Sequence, residues 1–483
     1  MESITSSFRD PCGFIFKHEN FIYRQVNRAG AGDFDRFIDS GLYQVLIDKG
    51  YLLEHEDVTD TDIPRTDVCH RILRPLQLKY ISYPYEWCFS QLQDAAMLTL
   101  RVQTIALKLG FSLKDASAYN VQFVDGKPVF IDTLSFAFYQ EGQPWAAYRQ
   151  FCQHFLAPLA LMAHVDINLG KLLVTHIDGI PLDLASKLLP QRTRLSMGLQ
   201  THVHLHAKLQ SSYSDIASEA PARKKSKAGA SSKKISKSGL QGIVESLATA
   251  VRKLQLSASD TQWANYYNET NYTDDATASK RDLVAKFLAE VEGPLTIIHD
   301  LGANTGEFSR IAAEHAELVV SQDIDPVAVE RNYLQVRAGS SAANILPLLQ
   351  DLGAPAPAIG WANAERDSLI QRAQCDLIMA LALVHHLAIG NNVPLEQIAS
   401  FFSQIGKRLI IEFVPKTDSQ VIRMLTTRED IFNDYDQAGF ESAFSKYFMV
   451  ERRESIAGSE RHLYLMKRNG QLEPEHSLEF RSS

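Results

Sequence analysis

Residues 296–336, TIIHDLGANTGEFSRIAAEHAELVVSQDIDPVAVERNYLQV, hold the clearest chemical constellation in the chain. Asp300, Gly302, Asn304 and Gly306 share one short turn, and Asp323 follows Gly302 by 21 residues. The flanking apolar runs predict strand, glycine turn, helix, strand and helix, which is one βαβ unit of a parallel sheet. Glycine leaves room for a ligand against the backbone, and the helix after the turn aims its first N–H groups at the loop. A carboxylate ending the second strand at that distance is placed to accept both hydroxyls of a ribose. The chemistry indicated is recognition of a nucleoside. An ordinary tight turn is the competing reading, because glycine loops alone are weak signals; the acid at matching distance favours the nucleoside.

A dinucleotide site would read GxGxxG, whereas this loop reads DxGxNxG. With the strand before it, the loop resembles the first motif of class I S-adenosylmethionine-dependent methyltransferases, and the resemblance runs over about residues 260–470. Asp351, in NILPLLQD, matches the acid those enzymes place near the adenine amine. CDLIMALALVHHL (375–387) resembles their fourth strand and its loop, RLIIEFVP (408–415) the fifth strand, and YFMVERRESI with RHLYLMKR (447–468) the closing antiparallel pair. The resemblance implies an α/β, Rossmann-like domain on a mostly parallel seven-stranded sheet. It also implies S-adenosylmethionine as cofactor, held by Asp300, Gly302, Asn304, Gly306, Asp323 and Asp351. Methyl transfer needs chiefly a nucleophile held in line with the methyl group, and a base only where the acceptor must lose a proton. Ligands of open α/β sheets sit beyond the carboxyl ends of the strands, where His385, His386 and Glu412 fall. His385 is the first candidate for a substrate contact or base and Glu412 the second; packing and capping at a helix start is the other reading of the His pair. Trp263, Tyr266 and Tyr267 read either as a lid over the cofactor or as core of the entry helix.

A second constellation lies in the first half, QLQDAAMLTLRVQTIALKLGFSLKDASAYNVQFVDGKPVFID (91–132). Apolar residues at helical spacing end at Gly110, a natural helix stop. The loop SLKDASAYN and a hairpin turning at DGK follow. Asp115 precedes Asn120 by five residues and Asp132 follows it by twelve. That spacing resembles the catalytic hairpin of the protein-kinase and aminoglycoside-kinase superfamily. The resemblance implies an α+β kinase-like domain with Asp115 orienting an acceptor hydroxyl, Asn120 and Asp132 holding Mg²⁺, and ATP as a second cofactor. Leu113 and Lys114 replace the usual residues before the Asp, no GxGxxG loop is present, and Lys17 and Arg24 are the cations nearest the place of a phosphate-pairing lysine. Turn-organising Asp and Asn side chains are the bland alternative. The ordered pairing of YPYEW, LKDASAYN, FIDTLSF and YRQFCQHFLAPLAL with a methyltransferase half resembles the bacterial host-specific nodulation methyltransferase family. This implies a small-molecule or saccharide acceptor, bound or presented by the first half, and a bifunctional kinase and methyltransferase as the alternative.

The elements that position these residues fall into two blocks. The chain has 483 residues, 45% apolar and 22% charged, enough for two or three domains. Between Pro221 and Gly239 stand seven Lys/Arg and no acid, with no recurring large apolar residue, so that segment cannot offset its ordering entropy by burial. The expected organisation is a kinase-like domain over 1–210, a flexible basic linker over 211–240, a methyltransferase domain over 241–470 and a disordered tail over 471–483. Arg223, Lys224, Lys225, Lys227, Lys233 and Lys234 read as a solvated tether or as a contact for an anionic surface. A net charge of −8 gives no reason to expect a dedicated nucleic-acid binder. Five scattered cysteines without a CxxC pair suit neither a disulfide framework nor a zinc site. With no export signal and no apolar run of about 18 residues, a cytoplasmic location without a transmembrane segment is expected.

Overall fold

The computed structural model describes residues 2–60, 62–206, 234–256, 274–339, 341–426 and 428–470. Two compact units divide the chain, one of residues 1–260 with 359–366, the other of residues 261–358 with 367–483. Among the described residues, no helix is long and apolar enough to cross a membrane.

The N-terminal unit begins with strands β1 (Glu2–Ser3), β2 (Gly13–His18), β3 (Phe21–Asn27), β4 (His55–Asp57) and β5 (Cys69–Pro75). They pair antiparallel in the order β1-β2-β3-β5-β4. Helices α1 (Ala31–Asp39) and α2 (Leu42–Asp48) precede β4, and the long helix α3 (Phe89–Lys108) follows β5. Two small antiparallel pairs come next: β6 (Phe111–Leu113) with β9 (Phe136–Phe138), and β7 (Val121–Val124) with β8 (Lys127–Phe130). The β7–β8 turn is made by Asp125 and Gly126, both at positive φ, which is why DG suits a two-residue hairpin. Helix α4 (Lys237–Lys253) buries Leu240, Val244, Leu247 and Val251. Gln93 of α3 donates to the carbonyls of Val251 and Leu254 at 2.9 and 3.0 Å.

That docking corrects the expected domain limits. Residues 241–260 belong to the N-terminal unit, because α4 is amphipathic and buries its apolar face there. Ile235 already bonds to the Gly142 carbonyl at 3.2 Å, so residues 234–240 are no tether. Residues 359–366 also count with the N-terminal unit. Arg223, Lys224, Lys225, Lys227, Lys233, Trp263, Tyr266, Tyr267 and the tail 471–483 lie outside the described residues.

The C-terminal unit is a Rossmann-like α/β domain on one seven-stranded sheet. Its strands are β10 (Ile297–Leu301), β11 (Leu318–Asp323), β12 (Ile345–Leu349), β13 (Cys375–Ala380), β14 (Gly406–Phe413), β15 (Phe448–Ser455) and β16 (His462–Arg468). They lie in one sheet in the order β12-β11-β10-β13-β14-β16-β15. Pairing is parallel from β12 to β14 and antiparallel at β16 and β15. Alternate residues feed two cores: Ile378, Leu409 and Ile411 face one, Leu377, Met379 and Ile410 the other. Both faces are therefore covered, which explains the near-continuous apolar runs of β13 and β14. Helices α5 (Asp274–Glu290), α6 (Glu307–Ala312) and α7 (Pro326–Arg337) accompany the first two strands. In register, Leu301 stands opposite Gln322 and Ala380, and Asp323 opposite Leu349. The carboxyl ends of four strands thus meet along one edge.

Candidate functional site

At that edge the backbone must turn sharply from β10 into α6. Gly302 and Gly306 have φ of +76° and +78°, and Asn304 has φ of +49°, a region costly for most side chains but tolerated by Gly and Asn. The N–H groups of Gly302 and Ala303 both reach the Gln322 carbonyl, at 2.8 and 2.9 Å, which stitches the turn to β11. A Cβ on Gly306 would sit 2.5 Å from the Asn332 amide, and one on Gly302 would sit 3.3 Å from Leu383. The glycines therefore make room for the protein's own side chains, where the sequence suggested room for a ligand.

Asp323 ends β11 half-buried. Its Oδ2 accepts the Asn304 N–H at 2.7 Å and its Oδ1 the Asp325 N–H at 2.9 Å. Burial pushes its carboxyl up, and the two N–H groups pull it back part of the way. The Ile324 N–H adds a third backbone donor, so the carboxylate is oriented by the chain on both oxygens, and the lone-pair directions that remain are open to a ligand hydroxyl. Ile324 beside it is 54% exposed, an apolar surface next to a polar hook. Gln350 donates its N–H to the Asp323 carbonyl at 2.9 Å, which brings Asp351 alongside. Asp351 lies two residues past β12, and its Oδ1 accepts the Gly353 N–H at 2.8 Å.

Asp300 has a different place from the one expected. It is buried, accepts the Ser309 hydroxyl at 2.6 Å and is pushed up to about 6, by burial first and by Asp323 last. Its bond to Ser309 ties α6 to β10.

The loop after β13 carries His385. The ring is buried, neither nitrogen has a hydrogen-bond partner, and it lies 4.2 Å from the His386 ring. Burial, His386 and Arg461 hold its basicity well below the ordinary value, against the pull of Glu412. It is therefore neutral near pH 7, able to hydrogen-bond a substrate but a weak base.

Glu412 is corrected from base to support. Fully buried at the end of β14, it pairs with Lys280 at 2.6 Å and Arg461 at 3.0 Å. Its Oε2 also accepts the Ala382 N–H at 2.9 Å. Those contacts pin the loop that leads to His385, where Ala382 has φ of +51°. Arg461 is braced in turn by Asp418 at 2.8 Å. Sequence reasoning missed Lys280 and Arg461, which lie 132 residues before and 49 after Glu412, and no local spacing links them.

In the N-terminal unit the structure brings Asp115, Asn120 and Asp132 together. Asp115 sits between β6 and β7 and Asp132 between β8 and β9. Burial and the neighbouring Asp132 raise the Asp115 carboxyl, while hydrogen bonds from the Ser117 N–H, Asn120 and Gln150 lower it. Asp132 is paired with Arg24 and accepts the Ser135 hydroxyl. Burial pushes it up, but Arg24, Ser135 and the Leu134 N–H together hold it below the usual carboxylate range. The Asn120 amide donates to Ser135 Oγ at 3.2 Å. The expected Mg²⁺ ligands are thus engaged by the protein, and the cation beside Asp132 is the Arg24 guanidinium, while Lys17 is exposed. Among the described residues, no group of three or more His, Cys, Asp or Glu could hold a metal.

No family model matches the chain. Among solved structures, the N-methyltransferase NodS from Bradyrhizobium japonicum WM9 matches at 12% identity and a TM-score of 0.29, over 40% of this chain and 97% of that one. Magnesium protoporphyrin IX methyltransferase (ChlM) from Synechocystis PCC 6803 with bound SAH matches at 17% identity and a TM-score of 0.30, over 43% of this chain and 93% of that one. In sequence, the chain is 36% identical over 470 residues to the nodulation protein NoeA of Rhizobium meliloti (strain 1021). That alignment covers 96% of each protein, so the chain belongs to the family of the nodulation protein NoeA.

Proposed function

We propose that the chain is an S-adenosylmethionine-dependent methyltransferase acting on a small-molecule or saccharide acceptor. The observation that carries this reading is Asp323, whose two oxygens are each aimed by a backbone N–H at the end of β11, beside the exposed Ile324. Asp323 takes the ribose hydroxyls, Ile324 lies against the base and Asp351 stands near its amine, while the turn 302–306 passes the remainder of the cofactor. When bound, the cofactor supplies an electrophilic methyl group. This chain's residues hold the acceptor's nucleophile in line with it and keep water out. His385 offers a neutral ring nitrogen to the acceptor, and the Glu412 network holds the loop that presents it.

The N-terminal unit is read as kinase-like in the order of its paired strands, with Asp115, Asn120 and Asp132 between them. The Arg24–Asp132 pair favours an acceptor-binding unit over phosphoryl transfer. The saccharide or other small acceptor rests on the sequence resemblance to the host-specific nodulation methyltransferase family.

The test is calorimetric titration of the full chain with S-adenosylhomocysteine. Asp323→Ala should weaken binding tenfold or more, about 1.4 kcal/mol; equal affinity in the variant sinks the assignment. Tritiated-methyl labelling of fractionated cell extract then identifies the acceptor class.

A further inference from the structure

We propose that Tyr119, His154 and Arg366 form a binding site for a small oxyanion in the N-terminal unit, the carboxylate or phosphate group of a ligand. The proposal goes beyond methyl transfer and does not depend on it. Arg366 closes a short antiparallel bridge with Ile359, with backbone bonds of 3.0 Å in both directions. Gly360, at φ of +82°, opens that turn, and a Cβ there would meet Glu365 at 2.6 Å.

The charges within this turn are unequal. Glu365 is buried and receives Arg9 Nε and Nη2 at 2.6 and 2.8 Å and the Trp361 N–H at 3.1 Å. Arg366 gives one Nη1 bond to the Glu365 carbonyl at 3.0 Å. Its guanidinium lies 4.3 Å over the Tyr119 ring, and its buried Nε has no hydrogen-bond partner. Arg9 pairs with Glu365 and also lies 3.8 Å from Asp178; Arg366 acts on Glu365 through its charge, but forms no salt bridge with a carboxylate among the described residues. Glu86, the other acid near Tyr119, accepts the Tyr83 N–H at 2.8 Å.

Two more buried polar atoms in this cluster lack partners, Tyr119 Oη and His154 Nδ1. The rings meet edge to face at 6.2 Å, and His154 is 2% exposed. Burial keeps the phenol protonated, and burial with Arg366 keeps the imidazole neutral. In the tautomer protonated at Nδ1, the cluster presents three donors: Arg366 Nε–H, Tyr119 O–H and His154 Nδ1–H. Buried donors require acceptors. A water molecule offers two lone pairs and no charge, whereas an oxyanion offers more lone pairs and offsets the guanidinium. Tyr119 precedes Asn120 in the Asp115 loop, so an anion held here lies beside that cluster.

The full chain is titrated calorimetrically with sodium phosphate and, separately, sodium acetate, at an ionic strength fixed with sodium chloride. Saturable one-site binding of at least one anion is expected, and the preferred one identifies the group as phosphate or carboxylate. Arg366→Gln should weaken it tenfold or more. Tyr119→Phe keeps the stacking surface and should weaken it severalfold, while leaving the anion-free urea midpoint unchanged or raised. If Arg366→Gln does not fold, Tyr119→Phe decides. Absence of saturable binding to the parent chain overturns the proposal, as does binding that survives in the folded variants unchanged.

Discussion

Replacing Glu412 by Gln separates a base from a buried structural charge. Glu412 is fully buried between Lys280 and Arg461, whose side chains are 6% and 7% exposed. The Gln carbonyl oxygen still accepts the Ala382 N–H, so the change removes charge more than shape. Arg461 keeps Asp418 at 2.8 Å, while Lys280 loses the carboxylate at 2.6 Å, with the Phe308 ring 4.7 Å away. Breaking a buried pair from one side costs about 3–5 kcal/mol. The assay is urea denaturation of both proteins at pH 7, with Lys280→Met/Glu412→Gln as the second arm, expected to recover at least half of the loss. A deficit under about 1 kcal/mol at pH 7, or a double variant no more stable than the single one, refutes the buried-network account. Loss of turnover at unchanged stability would restore Glu412 as a base.

Three further outcomes follow from the geometry. Because both ring nitrogens of His385 are buried without partners, His385→Leu should change stability by less than about 1 kcal/mol while methyl incorporation falls at least tenfold; a much larger destabilisation would make the residue structural. Gly306→Ala combines a positive φ with a Cβ 2.5 Å from Asn332 and should cost about 2 kcal/mol or more, whereas a urea midpoint matching the parent chain contradicts the turn geometry. Burial holds His299 at about 4, against the Gln322 hydrogen bond that raises it; burial and then Arg366 hold His154 at about 3. Both take up protons near 6.5 when unfolded, so stability falls as pH drops below 6.5, by about 2 kcal/mol each between pH 7 and 5. Asp300, pushed up by burial to about 6, gains its proton first in the folded chain and returns about 1 kcal/mol over the same range. A urea midpoint that is flat or rising from pH 7 to pH 5 would refute this balance.

Local features were legible because local forces make them. The glycine turn and Asp323 could be read because left-handed backbone selects Gly and Asn, and because the βαβ unit sets the interval from turn to acid. The β7–β8 hairpin was equally plain, since Asp125 and Gly126 meet the backbone demand of the turn themselves. The alternation along β13 and β14 vanished because both faces are buried, yet the apolar runs still marked central strands. What composition could not reveal was where the basic segment ends. Helix α4 begins three residues past Lys234, but its Leu and Val face joins the N-terminal unit, and only the packing surface decides that.

The roles of the charged groups were settled by tertiary structure alone. An Asp or Glu at a strand end reads as a ligand hook or a base until its neighbours are known. Asp323 meets backbone N–H groups and no cation; Glu412 meets Lys280 and Arg461 from distant parts of the chain. Asp132 meets Arg24, 108 residues earlier. By itself the sequence determined the parallel βαβ unit, its nucleoside-type turn and the existence of two blocks, because each follows from short-range backbone and burial preferences. Which carboxylates face a ligand and which are neutralised inside the protein was decided only by the fold, because ion pairing depends on distance in space and not along the chain.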